Sequence, residues 1–514
     1  MKDFVIKGNG NSRYLKSSLE GITTWEQFRA ALAAGTLPID LNGINPEGFQ
    51  QLGDPLNKAT LLKDDTAEKY GLGDNAVVDD AFKFLAPGKL ATITVTTNPG
   101  ATVTCTDGSL VLTKTAEERT CVFHVKLGTW TIKARLGEDE SEENVVVVST
   151  FGNYTVSAPA VEKIYGVQWD GTSTTVWSRT DDAASFVNPT PYRAGATSYG
   201  SPFDNLYPWS GMVRVTDAVA GNLVAIPKFW YKWTKSGNSL KLQIADVAVD
   251  GFHTSPAHAD RGDGNGERDY VYVGRYHCAS NYKSTSGVKP VGNITRAAAR
   301  GSIHALGSDV WQYDFAMYWT IMMLYLVEYA DWNSQAKIGY GCGNNSGTEN
   351  MGATDAMPYH TGTTANSLTT YAAGIQYRHI EGLWSNVIDW CDGIYFSGAN
   401  VYCIKNPASF SDTSGGTTIG TRPTSSNWIS AWSIPRVSGF EYALYPSAVA
   451  GSENTYVCDY YGYSASGVVL YVGGPYSQSQ VFGAFYLSGN FAASDTGANT
   501  GCRLMKLPDK EVAA

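Results

Sequence analysis

Polar and apolar residues alternate over a series of short runs between residues 89 and 158. Thr92-Ile-Thr-Val-Thr96, Ala101-Thr-Val-Thr-Cys105, Cys121-Val-Phe-His-Val125 and Gly128-Thr-Trp-Thr-Ile-Lys-Ala134 follow this pattern, and Asn144 to Val148 closes the series. A period of two sends successive side chains to opposite faces of a strand. Asn98-Pro-Gly100 and Asp107-Gly108 supply turns between runs. Short strands recurring with turn signals predict a small β-sandwich. The acidic run Glu138-Asp-Glu-Ser-Glu-Glu143 is expected to be a solvated turn.

The same period returns in Val468-Val-Leu-Tyr-Val-Gly-Gly474 and Phe482-Gly-Ala-Phe-Tyr-Leu-Ser488. Val469, Val472, Phe482, Phe485 and Leu487 are expected in the core. The other set is expected on display: Tyr456, Asp459, Tyr460, Tyr461, Tyr463, Ser464, Tyr471, Tyr476, Ser477, Ser479, Tyr486 and Ser488. Tyrosine gives broad amphipathic contact at low entropy cost, and serine gives adaptable hydrogen bonding, so this pairing suits a binding face.

Helical spacing is clearest over Asp314 to Tyr329. Shorter helices are expected over Thr24–Ala34, after a capping threonine, and over Val78–Leu85, stopped by Pro87-Gly88. Ile164–Trp169 opens a large C-terminal unit, in which Ile226–Trp233 is expected as one aromatic-packed strand and 339–352 is a Gly-rich run. These breaks predict three domains, 1–88, 89–158 and 159–514, mostly β with some α+β character.

Composition supports this division. With 54 Gly, 31 Tyr and 14 Trp against 17% charged residues, the chain reads as strand- and loop-rich. A net charge of −10 without a basic stripe argues against nucleic acid or an anionic membrane as partner. No apolar run follows the first lysine, so no signal peptide is expected. Phe315–Ala330 is too short to span a bilayer and carries Glu328. Eight scattered cysteines without a CxxC pair predict buried thiols rather than a disulfide framework or zinc site.

Two ordered motifs carry a resemblance. Val472-Gly-Gly474, the aromatic-polar run Pro475 to Gln480, Gly483-Ala-Phe485 and Gly501-Cys-Arg-Leu504 resemble the C-terminus of variable C-type-lectin-like domains. Such domains occur in phage receptor-binding proteins and in proteins diversified by retroelements. Upstream, Tyr377-Arg-His-Ile-Glu-Gly-Leu-Trp-Ser-Asn-Val-Ile-Asp-Trp390 resembles the Gly-Asn-Val-Trp-Glu-Trp element of the fold shared with formylglycine-generating enzymes. The chain departs from the family at Cys502, where Ala or Phe is usual, and at Pro475, where Arg or a polar residue is usual. Residues 13–86, with Leu37-Pro-Ile-Asp40 and Tyr70-Gly-Leu72, resemble the N-terminal segment of phage tail-fibre and appendage proteins. Residues 89–158 resemble the Ig-like or PEGA-type spacers of surface proteins.

The resemblance implies a virion tail or baseplate appendage. Its residues 1–88 would meet other phage tail or baseplate proteins and hold a homotrimer, and the twelve displayed residues would contact a host cell-surface receptor, glycan or protein. No cofactor, metal, nucleic acid or membrane insertion is expected. The alternatives are a structural baseplate or decoration protein and, on the same fold, a formylglycine-generating-like metal-dependent oxidase. That oxidase chemistry uses two closely spaced cysteines near the C-terminus, whereas Cys458 and Cys502 stand far apart in sequence. Glu381, Asp389 and Asp392 around Trp384 and Trp390 could suggest a carboxylate-pair hydrolase, but read better as turn caps around a tryptophan core. His253, His258 and His277 lack the HExxH spacing. Asp260-Arg-Gly-Asp-Gly-Asn-Gly-Glu267 contains the Arg-Gly-Asp tripeptide, which chance supplies often, and four candidate oxygen ligands for calcium without EF-hand spacing.

Overall fold

The computed structural model describes residues 5–8, 11–14, 90–117, 120–136, 139–149, 152–158, 162–478 and 482–509. The chain is mostly β and multidomain, with several small sheets, one large barrel-like sheet and few helices. Contacts divide it into residues 1–90 with 124–126, and residues 91–123 with 127–514. In the first unit Val5–Gly8 pairs antiparallel with Asn11–Tyr14. The helices expected over 24–34 and 78–85, and nearly all of the 13–86 resemblance, lie outside the described residues.

The alternating runs form two sheets. One has the order Thr120–Val125, Ala91–Thr96, Asn153–Ser157; the other runs Val111–Thr115, Thr102–Thr106, Gly128–Leu136, Asp139–Val147. Ile93, Val95, Val103, Cys105, Leu112, Trp130 and Ile132 are buried, as the period of two requires. The acidic run departs from expectation. Asp139–Val147 is a strand at the edge of its sheet, paired along its length with Gly128–Leu136. Lys133 Nζ lies 2.7 Å from Glu142 and 3.6 Å from Glu140 across that pairing. A charged edge strand deters further strand addition.

The long helix, Phe315–Tyr329, starts where Asp314 accepts the Met317 N–H at 2.8 Å and ends at Ala330, whose φ of 49° is left-handed. All its residues are buried, so it is an internal strut rather than a helix with one wet face. Glu328 is held at this depth by Arg378 at 2.6 and 3.0 Å and by the Tyr377 hydroxyl at 3.0 Å. Among the described residues no helix is long and apolar enough to cross a membrane.

Two further expectations change. Ile226–Trp233 is not one strand: Gly221–Pro227 and Trp230–Ser236 belong to different sheets. Pro227, which has no N–H for the ladder, ends the first. A helix that spacing did not reveal, Arg296–His304, is capped by Thr295.

The largest sheet carries the C-terminal pattern. Its strands run in the order Thr417–Thr421, Asn400–Cys403, Ile388–Ser397, Val469–Val472, Leu487–Phe491, Tyr460–Tyr463, Asn427–Ser433, Tyr445–Val449. Thr500–Gly501 pairs parallel beside Ile388–Ser397. Leu504–Lys506 then enters another sheet, between Tyr270–Gly274 and Val310–Gln312.

Candidate functional site

Every residue of Val469–Val472 is buried. Alternation still sorts them, but between two cores instead of between core and solvent. Leu470, Val472, Phe485 and Leu487 join the cluster around the long helix. Val469, Tyr471, Phe482 and Tyr486 join a second cluster with Trp390, Ile388 and Cys502. The five residues expected in the core are there; five expected on display are there too.

Tyr471 is 4% exposed, with its ring 4.5 Å from that of Phe491 and 6.1 Å from that of Trp390. Its hydroxyl reaches Asn490 Oδ1 at 3.0 Å. Tyr486 packs on Phe482 at 4.3 Å, and Tyr461 and Ser488 are also enclosed. Asp459 is buried and accepts backbone N–H groups of Gly483 and Phe485. Burial pushes its carboxyl up to about 7 against the pull of those two bonds. The physical reason for these corrections is one fact: both faces of the sheet are covered, so polarity marks hydrogen-bonded ends of core side chains, not display.

The rest of the expected face does not assemble. Tyr456 and Tyr463 sit at the rim of the helix-side cluster, whereas Tyr460 sits at the rim of the other and packs on Trp428 at 5.8 Å. Ser464 is partly exposed in the turn after Tyr463. Ser479 lies outside the described residues. Of the expected set, Tyr476 and Ser477 are the described residues that project from the long connection between Val469–Val472 and Leu487–Phe491.

That connection meets loops from elsewhere in the chain. Asn345 N–H donates to Tyr476 O at 2.7 Å, Asn344 N–H to Gln478 O at 3.0 Å, and Tyr476 N–H to Asn386 O at 2.9 Å. Gly343 passes so close that a Cβ there would stand 2.7 Å from Gln478 O. Asn386 braces the Gly-rich run: its Oδ1 accepts Glu349 N–H at 2.9 Å and its Nδ2 donates to Glu349 O at 3.1 Å. Tyr340 and Tyr371 stack 5.2 Å apart beside them. The result is a surface of tyrosine edges with exposed Asn344, Ser346, Ser477 and Gln478. Amides, hydroxyls and half-buried tyrosines can hydrogen-bond and stack on a neutral or weakly charged ligand. Sequence reasoning missed Tyr340, Asn344 and Asn345, whose only local sign was the Gly-rich run, and Tyr371, which lies beyond that run.

Beneath this surface a buried network fixes the backbone. His277 Nδ1 lies 2.8 Å from Asp389 Oδ1, and Arg503 Nε donates to Asp389 Oδ2 at 3.1 Å. Arg503 Nη2 also donates to the carbonyls of Glu381 and Gly382 at 2.9 Å. The surrounding positive charge holds the Asp389 carboxyl low despite its burial. Glu381 accepts N–H groups of Gly352 and Thr354, and Asp392 is bound by Arg300 at 2.6 Å. The three carboxylates thus serve three separate structural partners and do not face one another as a pair.

Cys502 is not isolated. Its carbonyl accepts the Cys278 N–H at 2.7 Å, which sets the two buried cysteines side by side. The tripeptide folds inward: Arg261 pairs with Asp314 and Asp263 with Arg268. Asn265 and Glu267 turn to other partners, Asp509 and Thr254. Among the described residues no group of three or more His, Cys, Asp or Glu is placed to hold a metal ion.

Neither a protein-family model nor a curated protein matches the chain.

Proposed function

We propose that the chain is a phage tail-fibre or receptor-binding protein. Residues 1–88 attach it to the virion as a homotrimer, 89–158 form an Ig-like spacer, and 159–514 form a C-type-lectin-like tip that meets a host-surface receptor. One observation carries this reading. Loops at 341–349, 371 and 475–478 come together from distant parts of the sequence on a sheet made rigid by cores on both faces. Binding loops on a rigid scaffold are the usual division of labour in recognition proteins. The contact residues in this reading are Tyr340, Tyr371, Asn344, Tyr476, Ser477 and Gln478. The protein acts by adhesion and breaks no bond.

The test is binding of fluorescently labelled full-length chain to whole cells of the bacterial host. Saturable binding that competes with phage adsorption supports adhesion. Binding only to purified tail or baseplate proteins would replace this reading with a structural one. Conversion of sulfatase-type peptides or host glycans would replace it with an enzymatic one.

A further inference from the structure

Cys278 follows the strand Tyr270–Gly274, and Cys502 precedes the strand Leu504–Lys506 that pairs with it. A long stretch of sequence separates them. The Cys278 N–H donates to Cys502 O at 2.7 Å, so the two backbones meet directly. In strand-like backbone such a bond sets the α-carbons about 5–6 Å apart, inside the span that a disulfide bridges. The placement is held from both sides. Arg503 Nη1 donates to the carbonyls of Gly274 at 2.8 Å and Arg275 at 3.2 Å, and Cys278 O accepts the Val291 N–H at 2.8 Å. Both cysteines are fully buried in one apolar cluster with Ile294, Val310 and Leu504. The neighbouring Cys278, ahead of burial, raises the Cys502 thiol well above its ordinary value.

Cys391 and Cys403 show the contrast. They lie on adjacent strands of the largest sheet, but Cys403 faces Ile394 and Cys391 faces Leu470. We propose that Cys278 and Cys502 are an oxidisable pair, whose disulfide locks the closing strand Leu504–Lys506 in place. The oxidant is a small disulfide of the glutathione class. One cysteine thiolate attacks it and releases one thiol, leaving a mixed disulfide; the second thiolate then displaces the other thiol and forms the Cys278–Cys502 bond. The two protons of the cysteines end on the two released thiols, and the two electrons reduce the oxidant. A buried, protonated thiol is a poor nucleophile, so exchange proceeds while 500–506 are locally detached. The pair stays as thiols in a reducing medium and closes in an oxidising one. This inference is independent of the receptor reading of the loops.

The test equilibrates the reduced full-length chain with glutathione buffers from fully reduced to fully oxidised, traps free thiols with N-ethylmaleimide in urea, and maps the peptides by mass. At full oxidation the principal product should be about 2 Da lighter and carry a Cys278–Cys502 cross-link. Its melting temperature should rise by about 5 °C, because the closed loop is long. Cross-linking should run at least about tenfold faster in sub-denaturing urea, which favours local opening. In Cys278→Ala the lighter product should vanish. No Cys278–Cys502 link at full oxidation, equal linking of Cys391 to Cys403, or a lighter product in Cys278→Ala would each overturn the proposal. So would a lower melting temperature of the linked chain, or a linking rate indifferent to urea.

Discussion

The carboxylate of Asp459 accepts the backbone N–H of Phe485 at 2.8 Å, and no cation among the described residues pairs with it. Burial lifts the group from the ordinary 3.8 to about 7. The folded chain therefore holds this proton more tightly than the unfolded chain does. The associated stability is fully present below about pH 4 and is lost as pH climbs through about 7. The loss attributable to this group is at most about 4 kcal/mol. Asp459→Asn should flatten that part of the profile. Urea melts from pH 4 to 8 on both proteins decide the matter, and parallel profiles would rule the effect out.

Tyr471 is a core residue with a hydrogen-bonded tip. Tyr471→Ala should cost about 3–5 kcal/mol through the cavity left against Trp390 and Phe491. Tyr471→Phe keeps the ring and loses the bonds of its hydroxyl to Asn490 and to the Tyr486 hydroxyl, for about 1–2 kcal/mol. Similar melts for Tyr471→Ala and the parent chain would show that this ring is not enclosed.

Tyr476→Ala and Tyr371→Ala should leave denaturation midpoints within about 1 kcal/mol of the parent, because both side chains are partly exposed. On the adhesin reading, at least one of them should remove about 2 kcal/mol or more of host-cell binding. Gly343→Ala should act differently, since its Cβ would collide with the Gln478 carbonyl and displace the loop itself. Undiminished binding by all three variants would take these loops out of the receptor contact.

All eight cysteines are buried and unpaired by disulfides. Burial pushes the thiol of Cys105 up to about 12, and the neighbouring Cys278, followed by burial, raises that of Cys502 well above its ordinary value. A thiol that stays protonated is a poor nucleophile. Alkylation with iodoacetamide at pH 7.5, read by intact mass, should modify the native chain at none of them and the urea-unfolded chain at all eight. Rapid native labelling at Cys278 or Cys502 would show that the thiol pair is accessible.

Much of the secondary structure was legible locally. Ile93, Val95, Trp130 and Ile132 announce their strands by period, and Phe315–Tyr329 announces its helix by the spacing of its apolar residues. The side of the sheet facing water was not legible. The alternation of Leu470 and Tyr471 separates two faces correctly, yet cannot say whether the second face meets solvent or another core. A tyrosine whose ring is enclosed and whose hydroxyl is bonded has the same letters around it as one on the surface. The acidic first half of Asp139–Val147 escaped notice because its charges resemble a turn, although an edge strand tolerates them as well. The meeting of Gly343 with Gln478, and of Cys278 with Cys502, depends on tertiary closure that leaves no mark on neighbouring residues.

The strand Leu504–Lys506 lies between Tyr270–Gly274 and Val310–Gln312, segments made some two hundred residues earlier. While the chain is being synthesised, those two partners must wait with an open slot between them. Arg503, beside it in sequence, ties the carbonyls of Gly274 and Glu381 together. Pairings so distant along the chain are slow to form and leave sheet edges exposed until they do. Translation that stops before this segment would yield a product with an unfilled sheet, open to proteases and to aggregation. The strand thus couples the closure of this sheet to a pairing across roughly two hundred residues of sequence, so a chain cut before it keeps two unsatisfied edges.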